Sequence, residues 1–111
     1  MEKIAVMEMV GEAVSRTKGI MLKEFLEPLL CSKAGNIVVD FEGISYFTTT
    51  FFNNSFAALA LVYGFDIVRA IRLENINEVG RAAYEASMEN AEIISIPEKP
   101  GDKKGVNYET E

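Results

Sequence analysis

At 111 residues the chain has room for one domain with a single core and not for two. A net charge of −6 and a pI near 4.7 provide no basic face for nucleic acid. The absence of histidine removes the commonest general base and the commonest metal ligand together.

Residues Ile4 to Val10 are mostly apolar and predict a first strand, with Glu8 as its one charge. Gly11 to Thr17 reads as a loop. From Gly19 the period changes: Leu22, Phe25, Leu26, Leu29 and Leu30 form the stripe of a helix packed on a core, with Lys23, Glu24 and Glu27 on its polar side. Pro28 cannot donate to the carbonyl of Glu24 and is expected to kink or locally open this helix, and Gly35 is its expected stop. Cys31, on the helix flank, reads as a core or boundary residue. As the one cysteine it excludes an internal disulfide and fits a reducing compartment.

Ile37, Val38, Val39 and Phe41 make the short continuous apolar run of a strand covered on both faces, and Asp40 through Gly43 end it with turn chemistry. Three threonines then open a strongly apolar helix. A threonine there serves as N-cap, its hydroxyl accepting from an orphan N–H of the first turn. A hydroxyl at a helix start is equally a place where a phosphate is tolerated. Phe52, Phe56, Leu59 and Tyr63 form one stripe of this helix, with Phe51, Ala58 and Val62 beside it. It is apolar nearly all round, so it is either central or shares surface with a partner, and Gly64 ends it.

Asp66 to Glu74 predicts a third strand, with Ile67, Ile71 and Leu73 on one side and Arg69 interrupting them. Asn75 and Glu78 suggest a capping box that opens a third helix running to about Met88. Ile93 to Ile96 is the expected final strand. The expectation is thus an α/β sandwich in βαβαβαβ order, a largely parallel or mixed sheet packed by three helices over residues 1–96, and a poorly ordered tail over 97–111. No apolar run is long enough to span a membrane and no signal-peptide pattern opens the chain, so the cytoplasm is the expected location.

The string from Val38 to Asn54, VVDFEGISYFTTTFFNN, resembles the core signature of STAS-like domains, relatives of the anti-sigma factor antagonists. That signature is an apolar strand ending in Asp-Phe, a Gly-Ile or Gly-Val turn, then small hydroxyl residues and Phe at a helix start. Gly11, Ser15, Arg16 and Gly19 are similar to the family's upstream positions. The resemblance implies a non-enzymatic switch protein without cofactor or metal. Its partner would be a histidine-kinase-like ATPase that phosphorylates a Ser or Thr at the start of the second helix and so ends the interaction. Thr49 matches the phosphorylated residue of antagonists and Thr50 the hydroxyl residue before Phe in the STAS-like branch, with Thr48 beside them. Thr48 and Phe51 stand where antagonists carry Asp and Gly.

Each candidate also has a plain structural reading. The threonines cap a helix, or carry a phosphate. Arg16 either holds its loop by pairing with Asp40 or bonding carbonyls near the threonines, or is a solvated surface cation. Asp40 reads as a turn residue before it reads as a catalytic acid, and Gly43 as part of the same turn. Arg16, Phe51, Phe52, Asn53 and Asn54 are the expected partner-facing residues, on a docking surface made of the N-terminal half of the second helix and the loop from Gly11 to Thr17, although the phenylalanines are core residues first. The resulting reading is a partner-switching interaction module. The alternative is a homo-oligomeric structural or ligand-sensing domain in which exposed phenylalanines bury against a second copy. An enzyme ranks third, because no Gly-rich phosphate loop and no carboxylate pair beside a nucleophile is present.

Overall fold

The structure is a computed structural model that describes residues 2–33 and 36–95. Strand β1 (Glu2–Ala5) leads through a single helical turn, α1 (Val6–Met9), to helix α2 (Arg16–Lys33) and strand β2 (Ile37–Asp40). Three short helices follow, α3 (Thr49–Asn53), α4 (Phe56–Tyr63) and α5 (Phe65–Arg69). Strand β3 (Arg72–Glu74) and the long helix α6 (Glu78–Ser95) complete the described chain.

The three strands form one parallel sheet in the order β1-β2-β3. Parallel neighbours need crossovers, which α2 supplies between β1 and β2 and α3 to α5 supply between β2 and β3. Ile4 pairs with Val39 and Val39 with Leu73, so these side chains share the face that meets the helices. Lys3, Val38 and Arg72 form a row on the opposite face, and Val38 is buried between its two charged neighbours. All four residues of β2 are buried, as expected of the central strand.

The core centres on an aromatic cluster. Phe52 has ring centroids 6.0 Å from Phe41, 6.1 Å from Phe47, 5.9 Å from Phe56 and 5.7 Å from Tyr84. Helix α2 contributes Leu22, Leu26 and Leu30 to this core. Phe25 and Cys31 are exposed, which corrects their expected places on the apolar stripe and at its boundary. The helix runs on through Pro28 without interruption.

Four expected elements differ from the structure. The first strand stops at Ala5, because Val6 and Val10 are buried at helical spacing and the N–H groups of Val10 and Gly11 both bond the Val6 carbonyl at 2.9 Å. The second helix is split at Asn54 and Ser55. The buried Ser55 hydroxyl bonds back to the Phe51 carbonyl at 2.9 Å and Asn54 Nδ2 to the Thr50 carbonyl at 2.8 Å, side-chain bonds that compete with a continuous ladder. The expected third strand is helical over α5 and extended only from Arg72, since Arg69 reaches α6 at Glu85 (3.2 Å) and Glu92 (3.7 Å). Ile93 to Ser95 continue α6 instead of forming a strand. The order is therefore not βαβαβαβ. The stop at Gly35, the strand end at Ile96 and the tail 97–111 lie outside the described residues.

Candidate functional site

Parallel pairing brings the C-terminal ends of all three strands, Ala5, Asp40 and Glu74, to one edge of the sheet. The loops that leave those ends meet there, at the position where open α/β sheets commonly present their binding surfaces.

Asp40 ties the corner together. Its Oδ1 accepts from the Glu42 N–H at 3.0 Å and from Asn75 Nδ2 at 2.8 Å, and its Oδ2 faces Lys3 Nζ at 3.5 Å. The Asn75 bond first, then the Glu42 bond, hold its carboxyl below the usual aspartate range, and Lys3 adds to this against the opposing effect of burial. Lys3 therefore occupies the place expected for Arg16. Asn75 adopts φ 56 to deliver its amide, and Asn77 takes over the cap of α6: its Oδ1 accepts from the Gly80 N–H at 2.7 Å. Asn77 Nδ2 also donates to the Ser45 carbonyl at 3.2 Å, so the loops after β2 and β3 are joined.

The loop after α1 is fixed with comparable economy. Glu12 Oε1 accepts from the N–H groups of Val14 and Ser15, both at 2.8 Å, which lowers its pKa from the ordinary value. Ser15 Oγ accepts from the Lys18 N–H at 3.1 Å and caps α2. Ala13 bridges to Phe47, and the Thr48 N–H donates to the Ala13 carbonyl at 3.2 Å. The Thr48 hydroxyl donates to the Val14 carbonyl and accepts from the Phe51 N–H at 3.1 Å. Further along, a Cβ on Gly19 would stand 2.5 Å from the Phe51 carbonyl oxygen, so only glycine permits this approach of α2 to α3.

Between the loops lies a slot of about 230 Å³, with Met7, Ala13, Val14, Ile44 and Tyr46 as its apolar walls and Gly11 and Gly43 at its turns. Tyr46 is 80% exposed at the rim. Thr49 and Thr50 are both exposed at the start of α3, while Thr48 is half-buried with its hydroxyl engaged on both sides. Arg16 is exposed, and among the described residues no ion pair or hydrogen bond holds its guanidinium.

Phe51 and Phe52, expected to face a partner, are fully buried. The turn of α3 rolls both rings inward, with Phe51 5.3 Å from Phe52 in an edge-on contact, so neither presents surface. Asn53 accepts a hydrogen bond from the Ser87 hydroxyl, and Asn54 is committed to the Thr50 carbonyl. Gly43 adopts φ 87 in the turn after Asp40. Of the slot's walls, Val14 lies in the Gly11 to Thr17 loop expected to face a partner, whereas no reading of the sequence singles out Met7 or Tyr46. Helical spacing of Val6 and Val10 is the one signal that turns Met7 outward.

Asp40 and Glu12 spend their oxygens on loop geometry, and among the described residues no group of three or more His, Cys, Asp or Glu could hold a metal ion. No helix among them is long and apolar enough to cross a membrane. What the corner presents is an apolar slot and, at the start of α3, two exposed hydroxyls that have no partner among the described residues, on a small α/β domain with a parallel sheet. The chain belongs to the family of STAS-like domains of unknown function, whose model matches residues 18–81, more than half of its length. No curated protein and no solved structure matches it.

Proposed function

We propose that this STAS-like domain is a non-enzymatic, cytoplasmic interaction module that switches partners. It docks through the loops at the strand ends and the start of α3, and a histidine-kinase-like ATPase ends the interaction by phosphorylating Thr49 or Thr50. The observation that carries this reading is the division of labour among the three threonines. Thr48 is locked as the cap and tied to Val14 of the slot, whereas its two neighbours are exposed, with hydroxyls that have no partner among the described residues. A phosphate adds a charge of about −1.5 to −2 at neutral pH, and one placed at the rim of a docking surface opposes any acidic or apolar partner there.

The test is incubation of the full chain with ATP and a candidate histidine-kinase-like ATPase. A phosphate-sized mass increase, abolished in the Thr49→Ala/Thr50→Ala double variant and retained in Thr48→Ser, is the expected result. Absence of phosphate on either residue, with the two proteins mixed at high concentration, overturns it.

A further inference from the structure

Helix α6 packs against α3 and α4 and leaves a gap beside β3, an edge strand of the sheet. The gap is a groove of about 330 Å³, lined on one side by residues 69–74 and on the other by Arg81, Tyr84 and Glu85 of α6. It shares no lining residue with the slot at the strand ends. Three of the chain's four arginines line it. Two of them are engaged. Arg69 pairs with Glu85 at 3.2 Å and Glu92 at 3.7 Å, and Arg72 pairs at 3.2 Å with Glu74, which also faces Lys3 at 3.8 Å. Both carboxylates in the groove are therefore taken, whereas three donors are not. The exposed Arg81 guanidinium has no ion pair or hydrogen bond among the described residues. The Tyr84 hydroxyl has no hydrogen bond among them either, although Tyr84 is only 3% exposed. Burial pushes its pKa up against the nearby Arg69 and Arg81, with Glu85 adding to burial, so the hydroxyl stays protonated and lies among the groove's own charges. The third donor is the Leu73 N–H. The Glu74 carbonyl accepts from the Phe41 N–H at 2.9 Å, so Glu74 turns its backbone toward β2, and Leu73, one residue earlier, turns its N–H and C=O outward along the edge that the groove follows.

We propose that an extended, acidic segment of a partner protein adds to the open edge of β3 as a fourth strand and sets its carboxylate on Arg81 and the Tyr84 hydroxyl. A groove between an edge strand and a helix suits strand addition, in which backbone bonds hold the segment and side-chain pockets select it. A buried hydroxyl without a partner is disfavoured, and a carboxylate oxygen relieves it while the guanidinium takes up the charge. Leu73 alone offers two backbone bonds, too few to hold a segment, so the carboxylate is the anchor and the strand fixes its register. A second copy of β3 would bring only Glu74, already paired with Arg72, and would leave Arg81 and Tyr84 unmet. This surface is separate from the threonine corner, and the proposal stands whether or not Thr49 or Thr50 is phosphorylated.

The experiment is a titration of the isotope-labelled full chain, followed by amide chemical shifts, with the peptides Thr-Val-Glu-Val-Thr and Thr-Val-Gln-Val-Thr, acetylated and amidated at their ends. The glutamate peptide is also made with its valines N-methylated, and separately with the alternate residues N-methylated. The glutamate peptide is expected to shift Arg72, Leu73 and Tyr84 saturably at millimolar concentration or below, and to bind about tenfold more tightly than the glutamine peptide. N-methylation should abolish binding in one set and spare it in the other, because alternate amides of a strand face the same side. Arg81→Gln and Tyr84→Phe should each remove most of the preference for glutamate. Arg81 is exposed and Tyr84→Phe keeps the buried ring, so neither variant should lower the urea midpoint appreciably. Equal binding of the two unmethylated peptides, an equal effect of the two N-methylated sets, shifts confined to another surface, or no shifts at all each overturn the proposal. So do equally tight binding of glutarate alone, the same shifts on concentrating the chain without peptide, and a nuclear Overhauser contact between Leu73 and residues 97–111 in the free chain. These assign the groove to a small carboxylate, a second copy and the chain's own end respectively.

Discussion

The Thr48 hydroxyl donates to the carbonyl of Val14, 34 residues away in the chain, while it accepts from the N–H of Phe51. One side chain thus caps α3 and fastens the loop before α2. Thr48→Ala is expected to lower stability by about 1–2 kcal/mol, the upper part of the range for a lost cap. Thr48→Ser keeps the hydroxyl and should recover most of this. Urea unfolding measures both, and an unchanged midpoint in Thr48→Ala would contradict the double role.

The buried and exposed parts of the same short helix should respond very differently to truncation. Phe52→Ala removes a fully buried ring from the centre of the aromatic cluster and should cost about 3–5 kcal/mol. Thr49→Ala and Thr50→Ala remove exposed hydroxyls and should stay within about 0.5 kcal/mol of the parent. Thermal denaturation of the three variants side by side decides this. A large loss in either threonine variant would mean a structural role for that hydroxyl.

Gly19→Ala sets two effects against each other. Alanine in a helix interior gains about 1 kcal/mol over glycine in propensity. The new Cβ, however, would meet the Phe51 carbonyl oxygen at 2.5 Å, a backbone atom that cannot swing aside. Overpacking of this kind costs about 1–3 kcal/mol or more, so the net change should be destabilising. A stabilised Gly19→Ala protein would show that α2 and α3 can separate.

Asp40 and Glu12 both have folded pKa values below their ordinary ones, Asp40 chiefly through Asn75 and Glu12 chiefly through the Ser15 N–H. Depressed carboxylates bind fewer protons in the folded state than in the unfolded chain. Their contribution to stability is therefore present above the ordinary carboxylate range and lost as pH falls through it toward the folded values. Asp40→Asn should flatten this acid-side loss, and the ratio of unfolding midpoints at neutral and acidic pH measures it. An identical acid profile in the variant would place the effect elsewhere.

Much of the central layer was legible because its signals are local. The apolar run of β2, the stripe of Leu22, Leu26 and Leu30, the threonine cap and the Gly64 stop each lie within a few residues. The misread segments are those where short apolar stretches fit two periods at once. Val6 and Val10 suit a helical turn as well as a strand, and Val68 and Ile71 likewise. Nothing between Met88 and Ser95 stops α6, so Ile93 and Ile94 stay helical where a short final strand was expected. Ser55 splits the second helix through a bond that depends on its own burial. The site was half visible for a similar reason. The hydroxyl cluster is contiguous, but the pairing of Asp40 with Lys3 and Asn75, and the slot between Met7, Val14 and Tyr46, join residues far apart in the chain.

Three contacts clamp the threonine segment to the start of α2: the Ala13–Phe47 bridge, the Thr48–Val14 bond and the touching of Gly19 with the Phe51 backbone. Together they leave no hinge between the hydroxyls and the slot. An event at Thr49 or Thr50 then has no lever with which to reshape a distant surface. Its influence has to travel through space, as charge and bulk felt by whatever lies alongside, and it should fade within a Debye length, about 8 Å at physiological salt.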